Sequence, residues 1–351
     1  MLSDAQRAFD PKRLWPAHPL DEGFPDGSTT LYAGAAGVFW ALRYLGRPLD
    51  RVPDLAERNR REYALMPYPQ HASFLMGEVA VLLLEERAEE LKRSIERNLA
   101  LPTLELMWGM PGTMLAAVFM ARKMNAAHWR EYFRRQAERL LGELKDTRYG
   151  PLWVQELYGS VGAYLGPVHG FAGHMAALLA GWEWLDGSEQ ARVTEAIERT
   201  LKANARESEE GVNWPALAGE RRAYLVQYCH GAPGIVITFV DSPFAAPELD
   251  RLLARAGELI WRAGPLAKGG GLCHGTAGNG YAFLKLYRRL RDPLWLERAR
   301  AFAMTAIEQW RAVRERYRQG RYSLWTGDLG LAIYLHDCLR EAPHFPTVDV
   351  F

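Results

Sequence analysis

Seven short apolar segments with the pattern Gly-x-x-Gly, or a close variant of it, constrain this 351-residue chain more than any other feature. Each segment leads into an apolar stretch long enough for a helix, and charged stretches with apolar residues at helical spacing lie between the segments. Period-two alternation rich in β-branched residues is scarce, so we expect no sheet. The segments are Leu31–Gly37, Phe74–Ala80, Met107–Gly112, Val168–Gly173, Tyr228–Gly234, Leu272–Gly278 and Leu324–Gly330.

Alternating buried and amphipathic helices, at a repeat of roughly 40–60 residues, are typical of a stacked or closed helical array. A linear array needs polar terminal repeats, whereas the first and last segments here are as apolar as the middle ones. Closure into a ring removes that need. We therefore predict an all-α fold, a double-layered α/α toroid that forms one domain over residues 1–351. Residues 1–28 are predicted to be an N-terminal arm, with Asp21, Glu22 and Asp26 on its surface.

Composition argues against several classes of function. The net charge is +1, so no overall field favours nucleic acid or an anionic membrane as a partner. No apolar run of about 18 residues is free of charges and glycine clusters, and no basic region followed by an apolar one begins the chain, so neither a spanning helix nor a signal peptide is expected. Three cysteines, two of them in matched motifs, do not make a disulfide framework. A reducing, cytoplasmic location is therefore expected.

Two consecutive glycine segments contain Cys-His-Gly, at Cys229-His230 and at Cys273-His274. Equivalent positions of adjacent repeats lie side by side in a ring, so the two cysteines are expected to meet at the mouth of the central cavity. Two thiolates and one imidazole with a fourth position open are typical of a catalytic zinc, which favours deprotonation of a bound thiol. His274 and His230 both remain candidates for the imidazole. The alternative is that both cysteines are small buried residues at helix starts, but their recurrence in adjacent repeats favours metal.

Other polar residues of the glycine segments are weaker candidates. His169 is either a general acid or base that faces the same cavity or a residue that caps a helix. Lys268 and the three glycines that follow it form a positively charged lip, which is either an anion site or a simple loop. Glu105 and Asp328 are candidate acid–base carboxylates. Cys338 lies outside any motif and is expected in the core.

The chain resembles the lanthionine synthetase C-like family through its seven glycine segments. The specific part is Cys-His-Gly-Ala-Pro-Gly at 229–234, Cys-His-Gly-Thr-Ala-Gly-Asn at 273–279 and His-Gly-Phe-Ala-Gly at 169–173, which are most similar to the stand-alone, glutathione-associated branch. The resemblance implies seven inner and seven outer helices and zinc as the cofactor. By the same resemblance the zinc ligands are Cys229, Cys273 and His274, the acid–base histidine is His169, and the contacts of the glutathione anion are Lys268 and Arg316.

These observations predict zinc-dependent addition of a thiol, glutathione or cysteine, to a dehydroalanine- or dehydrobutyrine-type residue of a peptide or protein. His169, with His230 as a second catalytic candidate, would deliver a proton to the α-carbon. One alternative is a lanthipeptide cyclase that acts on a separately dehydrated precursor peptide, and another is a zinc- and glutathione-binding protein without turnover. A toroidal glycan or terpenoid enzyme predicts paired carboxylates or an Asp-rich motif, and the inner segments contain neither.

Overall fold

A computed structural model describes residues 1–21, 23–50, 53–66 and 68–351; Glu22, assigned above to the arm, lies outside these ranges. Within them no helix combines the length and the apolar composition that a bilayer crossing requires. The helices are α1 Leu2–Ala8, α2 Ala35–Tyr44, α3 Leu55–Leu65, α4 Val79–Leu84, α5 Ala88–Leu99, α6 Met110–Met124, α7 Ala127–Gly142, α8 Phe171–Ala180, α9 Gly187–Asn204, α10 Ala232–Phe239, α11 Pro247–Ala263, α12 Thr276–Leu290, α13 Pro293–Tyr317 and α14 Asp328–Arg340; the strands are β1 Gln155–Leu157, β2 Ser160–Gly162, β3 Arg206–Ser208 and β4 Gly211–Asn213.

Within the described ranges, the helices that begin at the seven glycine segments form a closed inner ring. Each of α2, α4, α6, α8, α10, α12 and α14 contacts the next, and α14 contacts α2. The outer layer consists of α3, α5, α7, α9, α11 and α13, and the short α1 takes the seventh place. Next to α1, Phe9 packs edge-on against Phe39 of α2, and Asp4 of α1 pairs with Arg314 of α13 at 2.8 Å. The prediction of a toroid with seven inner and seven outer helices is confirmed.

Backbone hydrogen bonds link the glycine segments to one another around the mouth of the ring. The Cys229 N–H donates to the Cys273 carbonyl at 3.1 Å, and the Cys273 N–H donates to the Trp325 carbonyl at 2.9 Å. The Trp325 N–H then donates to Tyr32, and the Tyr32 N–H to Leu75, both at 3.0 Å. These bonds join the N-terminal ends of the inner helices, so the helices run parallel and the residues just before them share one mouth.

In six of the seven segments the second glycine is required for close packing rather than for flexibility, and the second segment has Ala80 in its place. A Cβ atom at Gly278 would overlap the carbonyl oxygen of Leu272, the first residue of the same segment. Gly231, in the first Cys-His-Gly motif, has a different reason, because its φ of +103° lies in the region that favours glycine. The glycine pattern therefore indicates a tight turn before each inner helix.

Two short hairpins show that the expectation of no sheet is wrong. β1 pairs antiparallel with β2, and β3 pairs antiparallel with β4. Each strand has three residues, which is too short for an alternating pattern to show in the sequence. Tyr158 and Gly159 connect β1 to β2 with φ values of 52° and 77°, as a two-residue type I′ turn requires.

The N-terminal arm is packed onto the ring more closely than expected. Trp15 is buried and donates through Nε1 to the Ala5 carbonyl at 2.8 Å. Asp21 was predicted to lie on the surface, but its side chain is 7% exposed and pairs with Arg321. That prediction is wrong for Asp21, because the arginine that precedes the last glycine segment neutralises its charge. Asp26 is exposed, as predicted.

The chain beyond α14, residues 342–351, crosses the interior of the ring, and we call it the closing segment. It enters at the end of the ring where α14 stops, opposite the mouth. Phe345 stacks on Tyr228 with ring centroids 4.3 Å apart, and Phe351 packs against Phe119 of α6 at 5.7 Å. Asp349 pairs at 2.5 Å with Lys285, a lysine of α12 that is 1% exposed. The closing segment therefore places aromatic side chains in the centre of the ring and a carboxylate against the buried Lys285.

Candidate metal centre

Cys229, Cys273 and His274 meet at the mouth of the ring. One donor atom from each lies within 4.8 Å of the other two, and both cysteines are buried while the histidine is half-buried. Cys229 stands just before α10, and the other two residues stand just before α12. The backbone bond between the two cysteines sets their loops side by side. Of the two imidazoles that the sequence left open, the geometry therefore groups His274 with the sulfurs.

The donor set fits zinc. Zinc–sulfur bonds of about 2.3 Å in a tetrahedral site put two sulfurs about 3.8 Å apart, and the observed donors lie within 4.8 Å of one another. Two thiolates and one imidazole are ligands that zinc prefers, and three protein ligands leave one position for a substrate. Among the described residues this is the one group of three such side chains with that proximity. Cys229, Cys273 and His274 are thus the residues that would hold the ion.

The two cysteines share a hydrogen bond that separates their acidities. Hydrogen bonds from Cys273 and His274 lower the pKa of Cys229, although burial acts in the opposite direction. The same hydrogen bond to Cys229, together with burial, raises the pKa of Cys273, and the Tyr32 hydroxyl partly offsets that rise. The pair therefore carries one thiolate readily, and a divalent cation would displace the remaining proton.

Two polar side chains that the sequence analysis did not single out face the sulfurs. Gln227 Nε2 donates to Cys229 Sγ at 3.0 Å, and the Tyr32 hydroxyl lies close enough to Cys273 to lower the pKa of its thiol. Both carry a signal in the sequence. Gln227 lies two residues before Cys229, and Tyr32 occupies in the first glycine segment the position that Cys273 occupies in the sixth. Hydrogen bonds of this kind orient metal ligands and tune their basicity.

His169 stands at the same mouth, held by a buried carboxylate. Its Nδ1 lies 2.7 Å from Oε2 of Glu105, whose side chain is fully buried. The Glu105 carboxylate also accepts the backbone N–H groups of Met107, at 3.2 Å, and of Trp108. Tyr158, at the tip of the β1–β2 hairpin, packs edge-on against the imidazole at 5.6 Å. The carboxylate thus fixes the ring and leaves Nε2 free for a reacting group.

His230 lies beside His169 but outside the group of three donors. The centroids of the two imidazoles are 6.5 Å apart. Burial lowers the pKa of His230, although Cys229 acts in the opposite direction, and its Nδ1 has no hydrogen-bond partner within the described chain. His230 therefore contributes a neutral imidazole to the mouth at neutral pH.

Lys268 lies at the lip of the mouth next to Arg321. Its ammonium donates to Gln227 Oε1 at 3.0 Å, and no carboxylate of the described ranges forms an ion pair with it. The guanidinium of Arg321 lines the same small pocket, but it is paired with Asp21, Nε to Oδ2 at 2.9 Å. Lys268 is therefore the cation of this pocket whose charge is not neutralised by the protein.

The remaining predicted residues are dispersed. Arg316 is exposed at the last turn of α13, with its guanidinium 5.4 Å from the Tyr317 ring, and its predicted contact with a thiol donor stays a prediction. Asp328 lines the pocket of Lys268, and burial raises its pKa to about 6. Cys338 is 3% exposed within α14, as predicted for a core residue, and burial raises its pKa to about 12.

The chain is similar in sequence and in fold to known proteins. The chain is 28% identical to Glutathione S-transferase LANCL1 of Danio rerio, across 92% of this chain and 85% of that protein. It is 31% identical to LanC-like protein GCL1 of Arabidopsis thaliana, across 57% of this chain and 46% of that protein. Among solved structures it has the fold of nisin cyclase, with a TM-score of 0.63 and 17% identity across 90% of this chain and 92% of that one. The family model of the lanthionine synthetase C-like protein matches residues 16–350, and the chain therefore belongs to that family.

Proposed function

We propose that this protein catalyses the zinc-dependent addition of a thiol, glutathione or cysteine, to a dehydroalanine- or dehydrobutyrine-type residue of a peptide or protein. The observation that carries the proposal is the convergence of Cys229, Cys273 and His274 at the mouth; three protein ligands are the number that catalytic zinc sites use. Similarity to a protein named as a glutathione S-transferase, over most of both chains, supports a thiol as one substrate.

Zinc bound by these three residues would supply a Lewis acid that favours the deprotonated form of a coordinated thiol. The chain itself would bind the rest of the thiol donor. Lys268 offers a cation that no described carboxylate neutralises, which suits a carboxylate of glutathione or cysteine. Arg316 is the second contact that the family resemblance implies. An anionic, soluble thiol donor therefore fits this lip better than a thiol that is already part of the acceptor peptide.

His169 would supply the proton that completes the addition. The thiol sulfur forms a bond to the β-carbon, the carbon–carbon double bond becomes an enolate, and the α-carbon then takes a proton from His169 Nε2–H. Glu105 holds Nδ1 at 2.7 Å and stabilises the imidazolium. The proton that left the thiol passes to solvent or to His230, the neutral imidazole beside His169. The product is a thioether, and no oxidant or reductant is consumed.

Metal content and thioether formation, measured together, test the proposal. We expect about one zinc per chain in the wild-type protein, and loss of both zinc and activity toward a dehydroalanine peptide in Cys229→Ala and Cys273→Ala. Cys338→Ala is the matched control, because Cys338 is equally buried but lies far along α14 from the other donors. Full activity of metal-free protein would refute the mechanism, and zinc binding without thioether formation would leave only a binding protein.

A further inference from the structure

A chain of two hydrogen bonds connects Lys268 to Cys229 through the side chain of Gln227. The Lys268 ammonium donates to Gln227 Oε1 at 3.0 Å, and Gln227 Nε2 donates to Cys229 Sγ at 3.0 Å. Gln227 is 7% exposed, so bulk solvent does not replace either partner. Removing one of them would leave a buried polar atom unpaired.

The chemistry of the two partners fixes the orientation of this amide. An ammonium has only donors, so it faces the carbonyl oxygen and not the NH₂ group. The NH₂ group of Gln227 then points at Cys229 Sγ, which accepts its hydrogen bond at 3.0 Å. In the opposite orientation, the NH₂ group of Gln227 would face the Lys268 ammonium, which is also a donor. The carbonyl oxygen of Gln227 would then face Cys229 Sγ, which is also an acceptor.

Backbone hydrogen bonds hold the amide in place. The N–H of Gln227 donates to the His230 carbonyl and the N–H of His230 donates to the Gln227 carbonyl, both at 3.1 Å. The carbonyl of the preceding residue, Val226, accepts from Asn279 Nδ2 at 2.9 Å, which ties this loop to α12. Gln227 is thereby fixed relative to both loops that carry sulfur ligands.

We propose that Gln227 is a positioning residue of the metal centre, which orients Cys229 Sγ by donating a hydrogen bond to it and takes its own orientation from Lys268. The inference rests on the zinc site of the proposed function, and it adds to that site a side chain that binds neither metal nor substrate. Through Gln227, the strength of Cys229 as a metal ligand would depend on Lys268, which lies at the lip of the mouth.

Two substitutions separate the roles of this amide. Gln227→Glu keeps the size and an acceptor for Lys268 but removes the donor to sulfur, and Gln227→Met removes both. Gln309→Met is the matched control, since Gln309 donates to the Leu266 carbonyl at 2.8 Å near the start of α12 and touches no sulfur. For each protein, Zn²⁺ affinity is measured by competition with a chromophoric chelator. The sulfur-to-metal charge-transfer band is recorded after replacement with Co²⁺.

Both Gln227 variants should bind Zn²⁺ about 10- to 100-fold more weakly than wild type. Their Co²⁺ band should move to lower energy, because a sulfur that loses a hydrogen-bond donor is more electron-rich. Gln309→Met should change neither quantity, and an equal loss in that control would assign the effect to packing and overturn the inference. Wild-type affinity with an unshifted band in Gln227→Glu would also overturn it. Wild-type protein that binds neither Zn²⁺ nor Co²⁺ would instead overturn the proposed function.

Discussion

Replacing Glu105 by glutamine tests the proposed proton-donating role of His169 with little change in shape. Glu105 is fully buried and faces His169 Nδ1 at 2.7 Å. The amide oxygen of Glu105→Gln can still accept the backbone N–H of Trp108, which Glu105 accepts in the wild type. In that orientation the NH₂ group faces both His169 Nδ1 and the backbone N–H of Met107, which are donors, and in the flipped orientation it faces the backbone N–H of Trp108. In both orientations the negative charge beside the imidazolium is lost. The variant should therefore disfavour the protonated ring that the reaction needs.

The size of the effect follows from the bond that is lost. A hydrogen bond to a charged group is worth about 1.5–3 kcal/mol, which corresponds to a fall in rate of about 10- to 150-fold. We expect kcat for thioether formation to fall by about this factor in Glu105→Gln. Zinc content should be unchanged, because Glu105 lies outside the group of metal donors.

The assay is steady-state addition of glutathione to a dehydroalanine peptide, with zinc content measured on the same samples. Glu62→Gln is the control for loss of a buried carboxylate, since Glu62 is 9% exposed and accepts from Ser28 at 2.8 Å, away from His169. Turnover of Glu105→Gln within twofold of wild type would refute the assignment. An equal fall in Glu62→Gln would show that general destabilisation, and not His169, is responsible.

Two further predictions concern stability. Burial lowers the pKa of His174 to about 4, whereas an unfolded histidine has a pKa of about 6.5, so its contribution to stability is complete above pH 6.5 and is lost as the pH falls toward 4. Between pH 7 and pH 5, the free energy of unfolding measured in urea should fall by about 2 kcal/mol more for wild type than for His174→Gln. An equal fall in the two proteins would contradict this prediction. Phe345→Ala should lower the free energy of unfolding by about 3–5 kcal/mol, because Phe345 is fully buried in the closing segment. Leu339→Ala, at a side chain that is 82% exposed, should change it by less than about 0.5 kcal/mol in the same denaturant titration.

The fold was predictable because its constraint repeats. Each inner helix follows a tight turn, and glycine at positions such as Gly278 leaves room for the carbonyl groups of that turn. The same pattern therefore recurs, with small variations, before each of the seven inner helices. The cysteines were predictable for the same reason, since they occupy equivalent positions of adjacent repeats. The strands were not, because three residues are too few to show a period.

Contacts that do not repeat could not be predicted from the sequence. Gln227 meets Lys268 across 41 positions of the chain, and such a pairing depends on how two loops approach. Among the arginines near the last glycine segment, the family resemblance implied Arg316, whereas Arg321 lines the pocket. These arginines follow no regular spacing, so the sequence does not indicate which of them faces the pocket. The closing segment was not anticipated either, because it lies outside the repeats.

The closing segment also determines how molecules reach the reaction centre. Phe345 contacts Tyr228 on one side of the ring, and Phe351 contacts Phe119 on another, so the passage through the centre is blocked. The ring is therefore open at the mouth and closed at the opposite end, and a polypeptide cannot pass through it. Under the proposed function, the donor, the acceptor and the thioether product would all use the mouth of the ring. An acceptor peptide would then present its dehydrated residue on a chain end or a protruding loop.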